Sequence, residues 1–373
     1  MDKKIIFFTN IPMIHQHRID MYVDAIKGVY EVALWDLSPI YNNNEKMQRK
    51  EPDSIIINDI DSFREKLEAE SSTYNVVIIT NILIPNLGLI YDIIHSLNLP
   101  IVNINKDSFP AWLCYKEAVR SFSKIRFASF INAVLHSWPI SRKIINYHQN
   151  RNIKYDYQLA SYNFYPEHCK SFVKIHNVKY DEFLTAQNED SIMAGDYILF
   201  IDAALADHPM FTYARRKINR EEYIKSLNAY FSILEQKYNI EVVISAHPKS
   251  NYSEDDFCGR KIIMYKTPVL IRHAKYIISH YSTSLFDAVL QKKPIKILYS
   301  KSLLESSCYG TVMAGMHLAR LVGAECVNLD DCQITDFDYS DNKYQRFINK
   351  YLVNTEFTNI SNGELILRFL KQI

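Results

Sequence analysis

Short runs of β-branched and aromatic residues alternate with longer amphipathic stretches along this chain, in two separate series. That rhythm constrains the fold more than any other feature. Strands joined by helical crossovers pair in parallel, because each crossover brings the chain back to the same end of the sheet. The first series predicts strands at Lys4–Phe8, Tyr30–Trp35, Ser54–Ile57, Val76–Thr80 and Ile101–Ile104. The second predicts them at Tyr197–Ile201, Glu241–Ser245, Lys261–Met264, Tyr276–Ser279 and Ile295–Leu298. The expected class is α/β with two parallel sheets.

With 373 residues, 48% of them hydrophobic, the chain can fill two cores. The polar stretch Ala186–Gly195 reads as the linker, which gives domains 1–190 and 191–350 and leaves 351–373 as a C-terminal helix packing back on the first. The segment Lys106–Asp190 reads as aromatic and helix-compatible. One helix is explicit: Asn219 and Glu222 form a capping box, and Tyr223, Leu227, Tyr230, Phe231 and Leu234 follow at helical spacing. It is expected to cover the second sheet.

Charge excludes some partners. Forty-three Lys and Arg against 42 Asp and Glu leave +1, without the strong basic excess of a nucleic-acid binder. The excess is local, since Lys106–Lys154 carries nine Lys and Arg against Asp107 and Glu117, with Trp112, Tyr115, Phe122, Phe127, Phe130 and Trp138 interleaved. Such a segment suits either the basic outer faces of amphipathic helices or a surface for an anionic glycan or lipid-linked acceptor at the inner membrane face. The acidic stretch Glu325–Asp341 reads as a solvated loop. Six cysteines without a close CxxC pair signal neither zinc ribbon nor disulfide framework, and fit a cytoplasmic setting. The apolar run after MDKK is too short for a signal peptide, and no stretch matches the ~20 apolar residues of a spanning helix.

The eight glycines never fall in GxGxxG or GxxxxGK[ST] spacing, so the usual phosphate cradles are absent. In open parallel sheets ligands bind beyond the carboxyl ends of the strands, which directs attention to the residues following each one. Tyr197–Ile201 runs into Asp202 and then Asp207-His208-Pro209. Glu241–Ser245 runs into His247-Pro248-Lys249, where proline stops the strand and leaves an imidazole and an ammonium able to meet phosphate oxygens. Tyr276–Ser279 runs into His280-Tyr281-Ser282-Thr283-Ser284, followed by an apolar stripe at Leu285, Phe286, Val289 and Leu290. One of these hydroxyls is expected to cap that helix, either as an ordinary cap or as part of an anion site.

The segments VVISAHPKS and YIISHYSTSLFDAVLQKKPIKIL together resemble the nucleotide-binding half of GT-B glycosyltransferases of bacterial surface polysaccharides (capsule and lipopolysaccharide). The likeness is greatest to those with an HP motif and a Ser/Thr pair: sialyltransferases, capsular Kdo transferases and teichoic-acid glycerophosphotransferases. FVKIHNVKYDEFL and YILFIDAALADHPMF resemble the interdomain passage of capsule-type enzymes, so the match is specific over Lys174–Ser300 and architectural before it.

This resemblance implies a GT-B fold, with two Rossmann-like domains whose parallel sheets face an interdomain cleft. It implies that His247 contacts the donor phosphate and helps the nucleotide depart, that Pro248 shapes the turn, and that Ser282, Thr283 and Ser284 hold the phosphate; the strand ends themselves add Lys249 and His280 as candidate donor contacts. The implied donor is a nucleotide sugar, preferably a CMP-activated acidic sugar such as a sialic-acid-like nonulosonate or Kdo. No cofactor is implied. Related sialyltransferases take their base from an acidic pair followed by glycine. This chain has no such triplet, so the candidates are Asp202, the Asp207-His208 pair and Asp107. No DxD motif lies in a βα loop, Asp336-Phe337-Asp338 falling in the acidic stretch, so metal independence is expected. Candidate acceptor contacts are Asn10, beside Thr9, His15, beside His17, and Lys106-Asp107. Two alternatives stand beside the transferase: a nucleotide-sugar 2-epimerase or CDP-glycerol-type phosphotransferase on the same fold, and a non-catalytic subunit of a polysaccharide assembly complex.

Overall fold

The computed structural model describes residues 1–41, 51–105, 153–163, 166–207, 217–253, 255–331 and 333–373. They divide into two compact units, one of residues 1–105, 153–178 and 353–373, the other of 179–352.

The first unit is built on a seven-stranded parallel sheet in the order β3-β2-β1-β4-β5-β6-β7. The strands are β1 (Lys3–Thr9), β2 (Glu31–Asp36), β3 (Ser54–Ile56), β4 (Asn75–Thr80), β5 (Ile101–Ile104), β6 (Tyr155–Ala160) and β7 (Cys169–Lys174). Helices α1 (His15–Asp20), α2 (Val23–Lys27), α3 (Ile60–Thr73) and α4 (Ile84–Ser96) connect them. β1 and β4 are buried on both faces, which is why they read as unbroken apolar runs. On one face Ile6, Phe8 and Ile78 pack with Trp35, with Phe63 of α3, and with Leu87 and Ile90 of α4. On the opposite face Ile5, Phe7, Val77 and Ile79 pack against Ile366, Phe369 and Leu370 of the C-terminal helix Asn362–Leu370. Each such side chain contributes about 1.5–3 kcal/mol on leaving water.

Residues 353–373 return to this unit through His176 and Asn362. The Asn362 side chain accepts from His176 N at 2.8 Å and donates to His176 O at 3.1 Å and to the Tyr22 hydroxyl at 3.0 Å. His176 Nδ1 accepts from Asn354 N at 3.0 Å while Nε2 donates to Phe357 O at 3.2 Å, which fixes the neutral tautomer. β6 and β7 fall inside the segment read as helix-compatible. Both lie toward one edge of the sheet and mix polar with apolar residues, so neither shows the continuous apolar run of a central strand.

The second unit has a six-stranded parallel sheet in the order β10-β9-β8-β11-β12-β13. Its strands are β8 (Tyr197–Ile201), β9 (Glu241–Ala246), β10 (Ile262–Met264), β11 (Tyr276–Ser279), β12 (Ile295–Tyr299) and β13 (Glu325–Asn328). Its helices are α5 (Val178–Ala186), α6 (Arg220–Tyr238), α7 (Thr267–His273), α8 (Leu285–Leu290), α9 (Lys301–Leu304), α10 (Tyr309–Val322) and α11 (Asp341–Phe347). The division falls at 178/179 rather than 190/191, because α5 and the polar stretch after it are tied to this unit. Arg272 donates to Ala186 O at 2.7 Å, His273 to Glu189 O at 3.2 Å, and Lys179 lies 3.9 Å from Asp287.

Asn219 caps α6 by accepting from Glu221 N and Glu222 N, and Asn239 ends it in the left-handed region at φ 53°. Tyr223, Leu227, Tyr230, Phe231 and Leu234 are buried against Ile198, Phe200, Val242 and Ile244 of the sheet. The acidic stretch is more than a solvated loop. Glu325–Asn328 is the sixth strand, buried Lys296 pairs with Glu325 and Thr335, Asp336 pairs with Lys237 at 2.7 Å, and Phe337 stacks on Tyr276 at 4.3 Å. The cations that neutralise these acids come from distant parts of the chain, so local charge could not reveal them. Among the described residues no helix is long and apolar enough to cross a membrane.

Candidate functional site

Counted in order of appearance, the strands of the second sheet run 3-2-1-4-5-6. The connections leave the two central strands, β8 and β11, in opposite directions, which opens a crevice beyond their carboxyl ends. Ile201 lies in register with Ser279 across that pair, so Asp202 and the turn from His280 to Ser284 emerge side by side. The next strand over, β9, delivers His247-Pro248-Lys249 to the same edge.

Asp202 is 2% exposed and holds this edge together. Its Oδ1 accepts from Ala204 N and the Tyr252 hydroxyl, both at 3.0 Å. Its Oδ2 accepts from His247 N at 3.1 Å and from the Ser250 hydroxyl. Four donors fill the acceptor capacity of a carboxylate, so Asp202, one of the candidate bases, is the post on which the 247–252 turn is built. Burial, followed by the adjacent Asp202 carboxylate, pushes the Tyr252 hydroxyl well above its ordinary range, keeping it a donor.

Asp207 is likewise committed. It accepts from Arg220 Nε at 3.3 Å and from Asn251 N at 3.1 Å, while Arg220 also grips Asp256 with two bonds of 3.1 and 2.8 Å. The network anchors the far side of the turn and uses one acceptor bond on each Asp207 oxygen. Its proposed partner His208 lies outside the described residues.

His247 Nδ1 accepts from Lys249 N at 3.1 Å, so the neutral ring carries its proton on Nε2. Partial burial lowers its basicity, with Asp202 opposing and Lys249 reinforcing the change. Pro248 and Lys249 are exposed at the edge. In the neighbouring turn Leu285 N donates to Ser282 O and Phe286 N to Thr283 O, while Ser282 Oγ accepts from Ser284 N at 3.3 Å. Ser284 occupies the cap position of α8, but its own hydroxyl makes no cap bond. Gly315 of α10 passes beneath this turn, where a Cβ would stand 2.9 Å from Ile297 Cγ2 and 3.5 Å from Tyr281 N. Only glycine leaves room for that approach.

His280 does not join the edge. It is 1% exposed, donates from Nδ1 to Leu298 O at 2.8 Å, and lies against Phe200 and Tyr223. Burial pushes its pKa down to about 4. Side chains alternate across an extended chain, and the residue immediately after β11 still points into the core. Thr283, by contrast, is exposed beyond it.

Sequence reasoning missed Ser250 and Tyr252, the donors that seat the turn on Asp202. It also missed Tyr265, 75% exposed with φ 61° at the carboxyl end of β10. A bulky side chain held at positive φ is uncommon and concentrates at ligand sites. Applying the strand-end rule to the β10 strand as well would have found it, because Met264 pairs with Ala246 and places Tyr265 at the edge next to His247. In the first unit, Asn10 follows β1 and is partly buried. His15 opens α1 with an exposed side chain 3.7 Å from Glu51. Lys106, Asp107 and most of the basic segment lie outside the described residues.

No family model matches the chain, and no curated protein matches it in sequence. Solved structures do match. The chain aligns over its whole length and 99% of the other with Phytolacca americana UGT2 complexed with UDP-2-fluoro-glucose and pterostilbene, at 9% identity and a TM-score of 0.58. It aligns equally fully with the glycosyltransferase SnogD from Streptomyces nogalater, at 10% identity and 0.50. The UDP-GlcNAc 2-epimerase from Methanocaldococcus jannaschii aligns over all of both chains at 14% identity and 0.49. The fold is GT-B, an α/β architecture of two Rossmann-like units with parallel sheets.

Proposed function

We propose that the protein is a glycosyltransferase whose second unit holds a nucleotide-activated sugar. The observation that carries this reading is the crevice between β8 and β11, which has no glycine cradle but gathers His247, Lys249 and Ser282–Ser284 around a buried carboxylate post. Departure of a nucleotide leaves charge on its phosphate oxygens, and preorganised donors aimed at that charge lower the barrier. His247 Nε2–H and the Lys249 ammonium supply two, and the Thr283 and Ser284 hydroxyls two more. With the acceptor capacity of Asp202 filled by the turn, the acceptor's proton passes to another group.

The donor we favour is a UDP-sugar. Support comes from the GT-B structure of TM-score 0.58, which was solved with UDP-2-fluoro-glucose. The CMP-activated acidic donor implied by the motifs has no counterpart among the structures named above. The motif likeness to surface-polysaccharide enzymes supports a glycan acceptor.

The reading is tested by incubating the protein with UDP-glucose and UDP-GlcNAc, alone and with methyl glycosides as acceptors. Free UDP appearing on addition of a glycoside is the expected result. Conversion of the donor to its 2-epimer without glycosyl transfer would overturn it in favour of an epimerase.

A further inference from the structure

α8 holds one carboxyl in an otherwise apolar helix. All six residues of Leu285–Leu290 are buried, and Asp287 among them is 0% exposed. Neither of its carboxyl oxygens has a hydrogen-bond partner among the described residues. The cation that faces it is Lys179, in the first turn of α5, at 3.9 Å. That ammonium is engaged elsewhere, because Lys179 Nζ donates to both oxygens of Glu182 at 2.7 and 2.6 Å. Glu182 lies one turn further along α5 with its side chain 37% exposed. Two carboxyl groups therefore compete for one ammonium, and the one within reach of water holds it.

Desolvation decides this arrangement. A carboxylate without donors is far costlier in an apolar interior than a neutral carboxyl. Burial, opposed by Lys179 and reinforced by Glu182, pushes the Asp287 carboxyl well above its ordinary range. The other charges around α8, among the described residues, are directed elsewhere. α7 packs on α8, and its Arg272 and His273 bond the Ala186 and Glu189 carbonyls. Phe347 of α11 lies on Phe286 at 5.8 Å and the turn Ile348–Leu352 packs beside it, but Lys343, Arg346 and Lys350 of these elements are exposed. Lys292 and Lys293, which follow α8, hold Asp341 and the Ala274 carbonyl, and Lys296 of β12 pairs with Glu325.

We propose that Asp287, Lys179 and Glu182 form a proton-operated clasp between α5 and α8: with Asp287 neutral the ammonium stays on Glu182, and loss of the Asp287 proton draws it onto Asp287. The observed distances are those of the first state. In the second, the proton passes to water, and the negative charge left on Asp287 is met by Lys179. The ammonium travels roughly 1 Å to reach the ~2.8 Å of an ammonium–carboxylate bond and gives up at least one of its bonds to Glu182.

The test is a carbon-13 NMR pH titration of the aspartate carboxyl and lysine Cε signals of the full chain, assigned with Asp287→Asn and Lys179→Met. The Asp287 signal is expected to titrate well above the ordinary carboxylate range, and the Lys179 signal to shift with the same midpoint in wild type but not in Asp287→Asn. Glu182→Gln removes the competitor and should lower that midpoint by about one pH unit, while Lys179→Met should raise it by a similar amount. Stability gives an independent reading. A carboxyl whose folded pKa is raised contributes stability that is present below its ordinary value of about 4 and is lost as pH rises toward the folded midpoint. Asp287→Asn removes that loss, so above about pH 4 its unfolding constant in urea melts should fall relative to wild type by up to tenfold per pH unit. Titration of Asp287 in the ordinary range or not at all before the fold is lost, a Lys179 signal indifferent to the Asp287 midpoint, a midpoint unmoved by Glu182→Gln, or parallel stability curves for wild type and Asp287→Asn would each overturn the proposal.

Discussion

Asp202 shows what a single residue does here. If it is a structural post, Asp202→Ala leaves two backbone N–H groups and the Ser250 and Tyr252 hydroxyls without their acceptor. The expected cost is about 3 kcal/mol of stability, with weaker nucleotide binding because the His247 turn loses its anchor. Urea melts and UDP titration check this; a base would lose turnover while keeping stability and affinity. His280 gives a second prediction at this scale. Its folded pKa, about 4, lies below the ordinary 6.5, so the unfolded chain takes up the proton first. The resulting stability is fully present above pH 6.5 and is lost as pH falls toward about 4. His176 behaves the same way, whereas buried Asp287, whose carboxyl is pushed up, works in the opposite direction. The effect is therefore read as a difference: relative to His280→Phe, the wild type should lose up to about 1.4 kcal/mol per pH unit across this window in urea melts. Parallel curves would contradict the burial account. A strand-end rule was enough to place His247 after β9 and the 282–284 hydroxyls after β11. It put His280 at the edge although that side chain is buried, and did not show the four donors around Asp202, because neither the last alternation of a strand nor the donors around a carboxylate can be read locally.

Among the elements, the ten strands read from the sequence all form, within a residue or so of their expected ends. Three were missed for separate physical reasons. β6 and β7 lie toward a sheet edge with mixed polarity, and β13 is hidden in an acidic run whose neutralising lysines are far away in sequence. α6 was legible because cap and apolar stripe agree. What sequence does not show is the approach of α10 to the Tyr281 turn. Gly315→Ala should cost about 1–3 kcal/mol by overpacking against Ile297 and should weaken nucleotide binding by displacing the turn. Gly310→Ala, where a Cβ meets nothing within 4 Å, is the control and should be neutral or stabilising by about 0.5–1 kcal/mol. Thermal melts with and without UDP separate the two, and equal behaviour would remove the close-packing argument.

At the scale of the whole molecule, both sheets begin 3-2-1-4-5-6, the first adding a seventh strand, and the two units differ in what their carboxyl edges offer. One offers amides and hydroxyls, the other an imidazole, an ammonium and hydroxyls held by a buried carboxylate. The fold class was legible because alternating strands and helices permit little besides parallel sheets. The division of the chain was less so: the hand-over precedes the polar stretch, and residues 353–373 rejoin the first unit through His176 and Asn362. The nucleotide site proposed for the second unit consists of the His247 turn and the 282–284 hydroxyls. Calorimetric titration of UDP into wild type, His247→Ala and the double variant Ser282→Ala/Thr283→Ala tests it most directly. Binding to the wild type is expected, weakened by about tenfold or more in each variant, as loss of a hydrogen bond to a charged phosphate requires, with unchanged circular dichroism. Failure of UDP, CMP, CDP and GDP all to bind, or equal binding by all three proteins, would contradict it.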